Sequence, residues 1–185
     1  MKKLIGVFLA MLAASGVSAQ QPADAAEQFR NSAHIGVGAF VSARFEGEKG
    51  GDKWGGGLVW GYGYAFSPYL ALDASMVYGN VGHGGGLHES NLGLSAGVVA
   101  TPMPVAFRYL KVGVAAAWVH RQYYTSISQK FDGRDLFGFD AILRLYAIDN
   151  LKWQLFASYQ PAFPIIGGKV LFNYSSLTLC LGYKF

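Results

Sequence analysis

The feature that most constrains this sequence is a series of short segments in which large apolar residues alternate with small or polar ones. Eight such segments follow one another between Ala33 and Phe185, separated by clusters of Gly, Pro, Asn and Asp. A period of two is typical of β-strands, because successive side chains point to opposite faces of the sheet. Each segment has about the 9–11 residues that a tilted strand needs to cross a bilayer.

The two faces of these segments differ in chemistry as well as in size. In the second segment Leu58, Trp60, Tyr62, Tyr64 and Phe66 share one face, and the opposite face is mostly glycine. The charged residues inside the segments all fall on the small-residue face: Arg44, Asp73, Lys111, Asp140, Arg144 and Lys184. A Lys or Arg that faces the bilayer midplane of a barrel costs about 2–4 kcal/mol. The small-residue face is therefore predicted to line a lumen.

Composition supports a membrane protein without membrane helices. Charged residues make up 14% of the chain and aromatic residues 15%, whereas about a quarter of a soluble domain is charged. A membrane helix needs about 18 consecutive apolar residues, and the best stretch after residue 19, Leu94 to Phe107, contains Pro102 and Pro104. A closed barrel is the other structure that satisfies every backbone hydrogen bond in lipid.

The predicted fold class is therefore all-β, an eight-stranded antiparallel up-and-down transmembrane β-barrel. A soluble ligand-carrying barrel such as a lipocalin is the alternative architecture. It would place apolar side chains inside and polar ones outside, which disagrees with charges that share a face with glycine and serine.

Residues 1–19 have the layout of a signal peptide, with Lys2 and Lys3, an apolar stretch, and small residues that end at Ala19. We expect a polar periplasmic segment over residues 20–32 and one barrel domain over residues 33–185. Two of the 15 basic residues lie in the signal, and 11 acidic residues oppose the rest. The mature chain thus has little excess charge, which indicates no nucleic-acid partner.

The links between segments fall into two classes. Short links lie at Ser67-Pro68, at Thr101 to Val105 and at Ile148 to Asn150. The alternate links are longer and richer in Gly and charge: Glu46 to Lys53, Asn80 to Glu89, His120 to Asp135 and Pro161 to Lys169. Short turns are typical of the periplasmic side of a barrel and long loops of the outer side. The predicted location is the bacterial outer membrane.

The signal, the eight segments and the ending Leu179-Cys180-Leu181-Gly182-Tyr183-Lys184-Phe185 together resemble small outer-membrane barrels of the OmpA transmembrane-domain and OmpX type. The resemblance covers about Ala33 to Phe185. It implies that Tyr183 and Phe185 belong to the signal that the barrel-assembly machinery recognises. The other expected partners are outer-membrane lipids and lipopolysaccharide, with no cofactor and a monomeric state.

Fold resemblance does not determine function. The leading hypothesis is a non-enzymatic barrel with a structural, envelope-integrity or surface-interaction role, whose loop ligand is open. The string His88-Glu89-Ser90-Asn91 resembles the His-x-Ser-Asn motif of PagL-type lipid A deacylases, which use a catalytic Ser, His and acid.

His88 and Ser90 share the lipid-facing side, and a histidine beside a serine can act as its general base. No carboxylate of matching parity follows on this strand, and Glu89 points to the other face. A lipid A-modifying enzyme is therefore the alternative hypothesis. His83, His88 and Glu89 are also candidate metal ligands, but Gly84-Gly85-Gly86 predicts a flexible loop without a preformed site.

Four charged residues are predicted to meet inside the barrel. Counting from the periplasmic segment ends places Asp73, Lys111 and Arg144 at similar depth, with Asp140 about one pleat pair higher. Two acids and two bases can neutralise one another, whereas an isolated buried charge is strongly destabilising. The sequence therefore predicts an internal ion-pair network that fills a narrow lumen.

Overall fold

The computed structural model describes residues 31–42, 53–67, 69–84, 87–102, 109–125, 132–170 and 174–185. The predicted signal peptide, residues 20–30 of the predicted periplasmic segment, and Arg44 lie outside these ranges. Within them the chain forms β1 (Asn31–Ser42), β2 (Lys53–Ala65), β3 (Leu70–Gly84), β4 (Leu87–Ala100), β5 (Leu110–Thr125), β6 (Asp132–Asp149), β7 (Trp153–Ile166), β8 (Lys169–Val170) and β9 (Tyr174–Lys184).

The eight long strands close into a barrel. From β1 to β7 each strand pairs antiparallel with the next one, and β9 then pairs with β7 on one side and β1 on the other. The two-residue β8 pairs with the end of β7. The predicted eight-stranded, up-and-down antiparallel barrel is confirmed. Closure removes the unpaired edges that an open sheet would expose.

Both termini of the barrel lie at one end, here named the turn end, together with the turns that join β2 to β3 and β6 to β7. The amide of Phe185 donates to the carbonyl of Asn31 at 2.9 Å. The side chains of Ser67 and Asn150 hold the turns, because each oxygen accepts two backbone amides: those of Tyr69 and Leu70 at 3.2 Å, and those of Lys152 and Trp153 at 3.1 and 2.7 Å. Such side-chain acceptors are typical of tight turns. The opposite end is named the loop end.

The strands extend further toward the loop end than the sequence predicts. The link predicted over Asn80 to Glu89 is largely strand, because β3 continues to Gly84 and β4 begins at Leu87. The link predicted over Pro161 to Lys169 is likewise strand up to Ile166, followed by Gly167 and Gly168 at φ 58° and 77°. The first prediction was wrong because polar and glycine residues still pair in the sheet, and the second because Pro161 and Pro164 lie within β7, where they pair with β9 and β6.

The two faces of the barrel wall separate cleanly. Large apolar side chains point outward and are exposed, as with Ile35, Trp60 and Phe137 at 59%, 62% and 65% exposure. Inward side chains are mostly buried, including Asp73 and Arg144. In the described part of the chain no helix has the length and apolar character to span a membrane. An apolar outer surface of this extent fits a hydrocarbon environment.

Candidate functional site in the lumen and on the outer face

The lumen is filled by successive layers of side chains. From the turn end to the loop end these are a charged cluster, a buried ion pair, a polar belt, an apolar layer and a second buried ion pair. An eight-stranded barrel encloses a space that side chains alone can fill. The layers therefore decide what the interior of this barrel can do.

The first buried ion pair joins Asp73 on β3 to Arg144 on β6 across the lumen. Arg144 Nη1 and Nη2 donate to the two carboxylate oxygens of Asp73, each at 2.7 Å. The guanidinium also lies 5.2 Å from the ring centre of Phe156, which in turn meets the ring of His34 edge-on at 5.3 Å. Two parallel charge-assisted bonds fix both distance and orientation, so this is the strongest type of protein ion pair.

Lys111 forms a separate cluster nearer the turn end. Its ammonium group lies 3.3 Å from Asp149 and 4.1 Å from the ring centre of Tyr146. Lys184 contacts the same carboxylate. This cluster differs from the sequence prediction, in which Lys111 shares one network with Asp73, Asp140 and Arg144.

The register explains the difference. Lys111 and Arg144 are direct cross-strand partners on β5 and β6, so two like charges face each other and each needs its own carboxylate. Asp140 lies four residues from Arg144 along β6, roughly 13 Å away at strand spacing. Gln160 Nε2 donates to Asp140 at 2.6 Å, which places that acid in the polar belt instead.

The polar belt crosses the middle of the lumen. Besides Asp140 it includes Gln160, which also donates to Ser95 Oγ at 3.1 Å, and a hydroxyl pair between Ser75 and Ser95 at 2.8 Å. These strands bring small polar residues inward at the same level, and the long amide of Gln160 spans the gap between them. These hydrogen bonds satisfy polar groups that would otherwise be costly to bury, except Asp140 Oδ1, for which the described residues offer no hydrogen-bond partner.

An apolar layer lies above the polar belt. It consists of Phe40, Val59, Val77, Val81, Val119, Leu136 and Ala162. Phe40 supplies most of its bulk, and its ring lies across Gly57 and Gly79. A Cβ atom at Gly79 would lie 2.6 Å from this ring, closer than van der Waals contact allows. The Phe40 ring therefore fits in the lumen because Gly57 and Gly79 have no side chain.

A second buried ion pair, which the sequence pattern does not predict, closes the loop end. Arg121 Nη2 donates to Glu89 Oε2 at 2.8 Å, and the two side chains are 1% and 0% exposed. Ser42 donates to Glu89 at 2.8 Å, and Asn91 donates to it at 2.6 Å. Both charges lie in stretches that were predicted as links. The inward parity that Glu89 shares with Asn91 was the available signal.

A polar patch covers the outer face of the barrel near the loop end. We name it the loop-end patch, and it comprises Asn80, His88, Ser90, His120, Gln122, Tyr124 and Asp135. Asn80 Nδ2 donates to the hydroxyl of Tyr124 at 2.8 Å, and the ring of His88 stacks on Tyr124 at 5.3 Å. His120 Nδ1 lies 2.9 Å from Asp135.

The patch contains His88 and Ser90 but does not assemble them into a catalytic set. Among the described residues no hydrogen bond joins the two side chains, and the acid of the patch, Asp135, contacts His120. Glu89 points into the lumen, as its parity predicts. The described residues include no cluster of three metal-ligating side chains, and the side chain of His83 lies outside the described part of the chain.

The two residues predicted as an assembly signal lie at the turn end. Tyr183 meets Trp153 edge-on at 5.0 Å and stacks near Phe185 at 6.5 Å. All three side chains are exposed on the outer face. Their role in assembly stays a prediction.

The fold has clear counterparts among solved structures. The chain is similar to Ail, the attachment invasion locus protein of Yersinia pestis, with a TM-score of 0.57 and 16% identity over 85% of this chain and 99% of that chain. It is similar to Neisserial surface protein A, with a TM-score of 0.54 and 14% identity over 84% and 96%. No family model and no curated protein matches the sequence. The likeness establishes the fold, that of small barrels of the bacterial outer membrane, in agreement with the predicted location.

Proposed function

We propose that this protein is a non-enzymatic outer-membrane β-barrel with a structural, envelope-integrity or surface-interaction role. The observation that carries the proposal is the filled lumen. Two buried ion pairs, Asp73 with Arg144 and Glu89 with Arg121, enclose a polar belt and an apolar layer. Such an interior suits a rigid anchor rather than a passage for solutes.

The outer surface supports the same proposal. An apolar face surrounds the barrel, and the loop end faces the cell exterior when the turn end faces the periplasm. Ail has been solved in complex with the heparin analogue sucrose octasulfate, which makes a sulfated sugar a sensible first probe for the loop end. We also propose that outer-membrane lipids and lipopolysaccharide surround the barrel.

The decisive experiment on the filled lumen is conductance in planar bilayers. Purified wild-type protein should give no large, stable conductance, because ionic side chains and the Phe40 layer block the interior. The double variant D73A/R144A serves as the comparison, because it removes one layer and leaves the apolar layer intact. Steady nanosiemens-scale steps from pure wild-type protein would refute the sealed-anchor proposal.

Two further measurements separate this function from its alternatives. Recovery of the protein in the soluble periplasm without detergent would favour the lipocalin-like architecture. Mass spectrometry of lipid A should find the same acyl chains with and without the protein, and the H88A and S90A variants should change nothing. Loss of an acyl chain that either substitution abolishes would instead establish a lipid A deacylase.

The C-terminal residues support a proposal about assembly. We propose that Tyr183 and Phe185 serve as the recognition signal for the barrel-assembly machinery, as the resemblance implies. Replacing Phe185 by Ala should slow appearance of the heat-modifiable folded form in cells, with little effect on refolding into detergent. Equal slowing in both settings would indicate a packing role instead.

A further inference from the structure

A groove with a volume of about 730 Å³ lies on the outer face of the barrel, across β1 to β6. This volume is within the range of about 300–1,000 Å³ found for ligand pockets. Its floor is formed by Ala74, Ala96 and Ala116, which are direct cross-strand neighbours on β3, β4 and β5. Three methyl groups in one register row, between larger side chains, leave a depression in the wall.

The rim of the groove on its loop-end side consists of large apolar side chains, three of them aromatic. Trp60, Met76, Leu94, Trp118 and Phe137 form the next register row and line the groove. All five are apolar and outward-facing, so the groove is continuous with the surface that meets hydrocarbon. The groove therefore suits an apolar occupant, such as an acyl chain.

Beyond this rim the outer face becomes polar over two register rows. In the first row His120 and Asp135 lie beside Tyr78 and Leu92, about 7 Å further along the strands. Asn80, Ser90 and Gln122 follow in the second row. The outward residues near the loop ends of β1, β2 and β7 are instead apolar, namely Val41, Trp54, Phe163 and Ile165. On the described parts of the long strands, outward polar side chains at the loop end thus concentrate on β3 to β6, above the groove.

The centre of the patch offers unused hydrogen-bonding groups. Ser90 and Gln122 are cross-strand partners on β4 and β5, and both are half-buried. Among the described residues no hydrogen bond engages either side chain. A hydroxyl and an amide can each donate and accept, and the patch contains no Lys or Arg, so its chemistry suits the hydroxyl groups of a sugar better than a bare phosphate.

We propose that the groove and the loop-end patch together bind one glycolipid, with an acyl chain in the groove and the sugar headgroup on Ser90, Gln122 and their neighbours. The inference rests on the proposed outer-membrane location and specifies a lipid partner for it. Within hydrocarbon the hydrophobic effect does not favour one apolar contact over another, so selectivity comes from shape-matched packing and hydrogen bonds. The groove supplies the packing and the patch supplies the hydrogen bonds.

The test measures lipid retention by native mass spectrometry. Full-length mature barrel is refolded into phosphatidylcholine vesicles that contain either lipopolysaccharide or phosphatidylglycerol, and is then extracted with mild detergent. Wild-type protein should retain lipopolysaccharide in preference to phosphatidylglycerol. Ala96→Phe, which fills the groove, should lower that retention about tenfold, equivalent to roughly 1.4 kcal/mol.

Matched variants separate the two parts of the site. Ala141→Phe makes the same exchange on the outer face of β6 outside the groove, and should retain lipopolysaccharide like the wild type. The pair Ser90→Ala and Gln122→Leu should lower retention of lipopolysaccharide to the level of phosphatidylglycerol. Heat-modifiable mobility confirms insertion of each variant.

Three outcomes would overturn the inference and leave the proposed membrane location intact. Equal retention of both lipids by the inserted wild type would remove the headgroup selectivity. An equal loss of lipopolysaccharide retention in Ala96→Phe and Ala141→Phe would show that the lipid does not bind in the groove. If Ala96→Phe changed the oligomeric state but not the retention of lipopolysaccharide, the occupant of the groove would be a second copy of this chain. Failure of the wild type to insert at all would instead contradict the proposed membrane location, and this inference with it.

Discussion

The two ion pairs of the lumen contain the same chemical groups but are built differently. Near the turn end, Asp73 and Arg144 bind each other through two parallel bonds of 2.7 Å. Near the loop end, Glu89 shares its oxygens among Arg121, Ser42 and Asn91. The first pair depends on one partner, whereas the second distributes its charge over several donors.

The surroundings of the two pairs also make the turn-end pair more dependent on its single partner. Arg144 faces Lys111 in register across β5 and β6, so loss of Asp73 would leave two cations close together. Arg121 retains a hydrogen bond to Ser42 at 3.0 Å even without Glu89. The turn-end pair should therefore act as a single stabilising link, and the loop-end pair as a network that tolerates the loss of one member.

The largest expected effect is at the turn-end pair. Asp73→Ala should destabilise the barrel by about 3–5 kcal/mol, because it leaves Arg144 buried, charged and close to Lys111. Urea unfolding of the folded barrel in detergent measures the free energy of unfolding. Asp73→Ala, Arg144→Ala and the double variant form a cycle, and strictly additive effects would rule out coupling between the two residues.

The location of the turn-end pair follows from the sequence, because both residues lie inside alternating segments. Parity alone placed Asp73 and Arg144 in the lumen. It could not assign partners, because the register of closed strands decides which residues meet across the lumen; thus Lys111 contacts Asp149, a residue predicted to lie in a turn. The fold followed from alternation, whereas contacts through the interior depend on barrel geometry.

The loop-end pair was missed for a different reason. Glu89 and Arg121 interrupt the apolar pattern, and glycine and charge nearby indicated loops. Strands that rise above the bilayer lose the need for an apolar outer face, so alternation fades there although pairing continues. The loop-end patch, with Asn80 and Gln122, was hidden in the same way.

The second prediction concerns that loop-end network. Glu89→Ala should destabilise by about 1.5–3 kcal/mol, the range for lost hydrogen bonds to a charged group, because Ser42 still binds Arg121. The same urea experiment gives the value. A cost equal to that of Asp73→Ala would contradict the idea that the loop-end charge is shared. Glu89→Gln, which keeps an acceptor, should recover part of the loss.

The third prediction tests the apolar layer between the two pairs. Gly79→Ala should cost about 1–3 kcal/mol, because its methyl group would meet the Phe40 ring and overpack the lumen. Gly82→Ala on the same strand is the matched control. A Cβ there meets nothing within 4 Å, so its unfolding free energy should stay within about 0.5 kcal/mol of the wild type. Equal effects at both positions would attribute the loss to the strand rather than to Phe40.

The smallest effect should come from the partly exposed cluster at the turn end. Lys184 contacts Asp149, but its side chain is 22% exposed, and Lys111 binds the same carboxylate at 3.3 Å. Replacing Lys184 by Ala removes one of two cations from a hydrated site, so the loss of unfolding free energy should be about 0–1 kcal/mol.

The salt dependence of this loss separates hydrated from buried ion pairs. Because salt screens accessible charges and leaves buried ones little affected, the loss in Lys184→Ala should shrink further at high ionic strength, while the cost of Asp73→Ala should not. Unfolding both variants in urea at low and high salt makes this comparison directly. A Lys184→Ala cost that is large and insensitive to salt would mean that the turn end is as dry as the lumen, and the contrast between buried and hydrated ion pairs would fail.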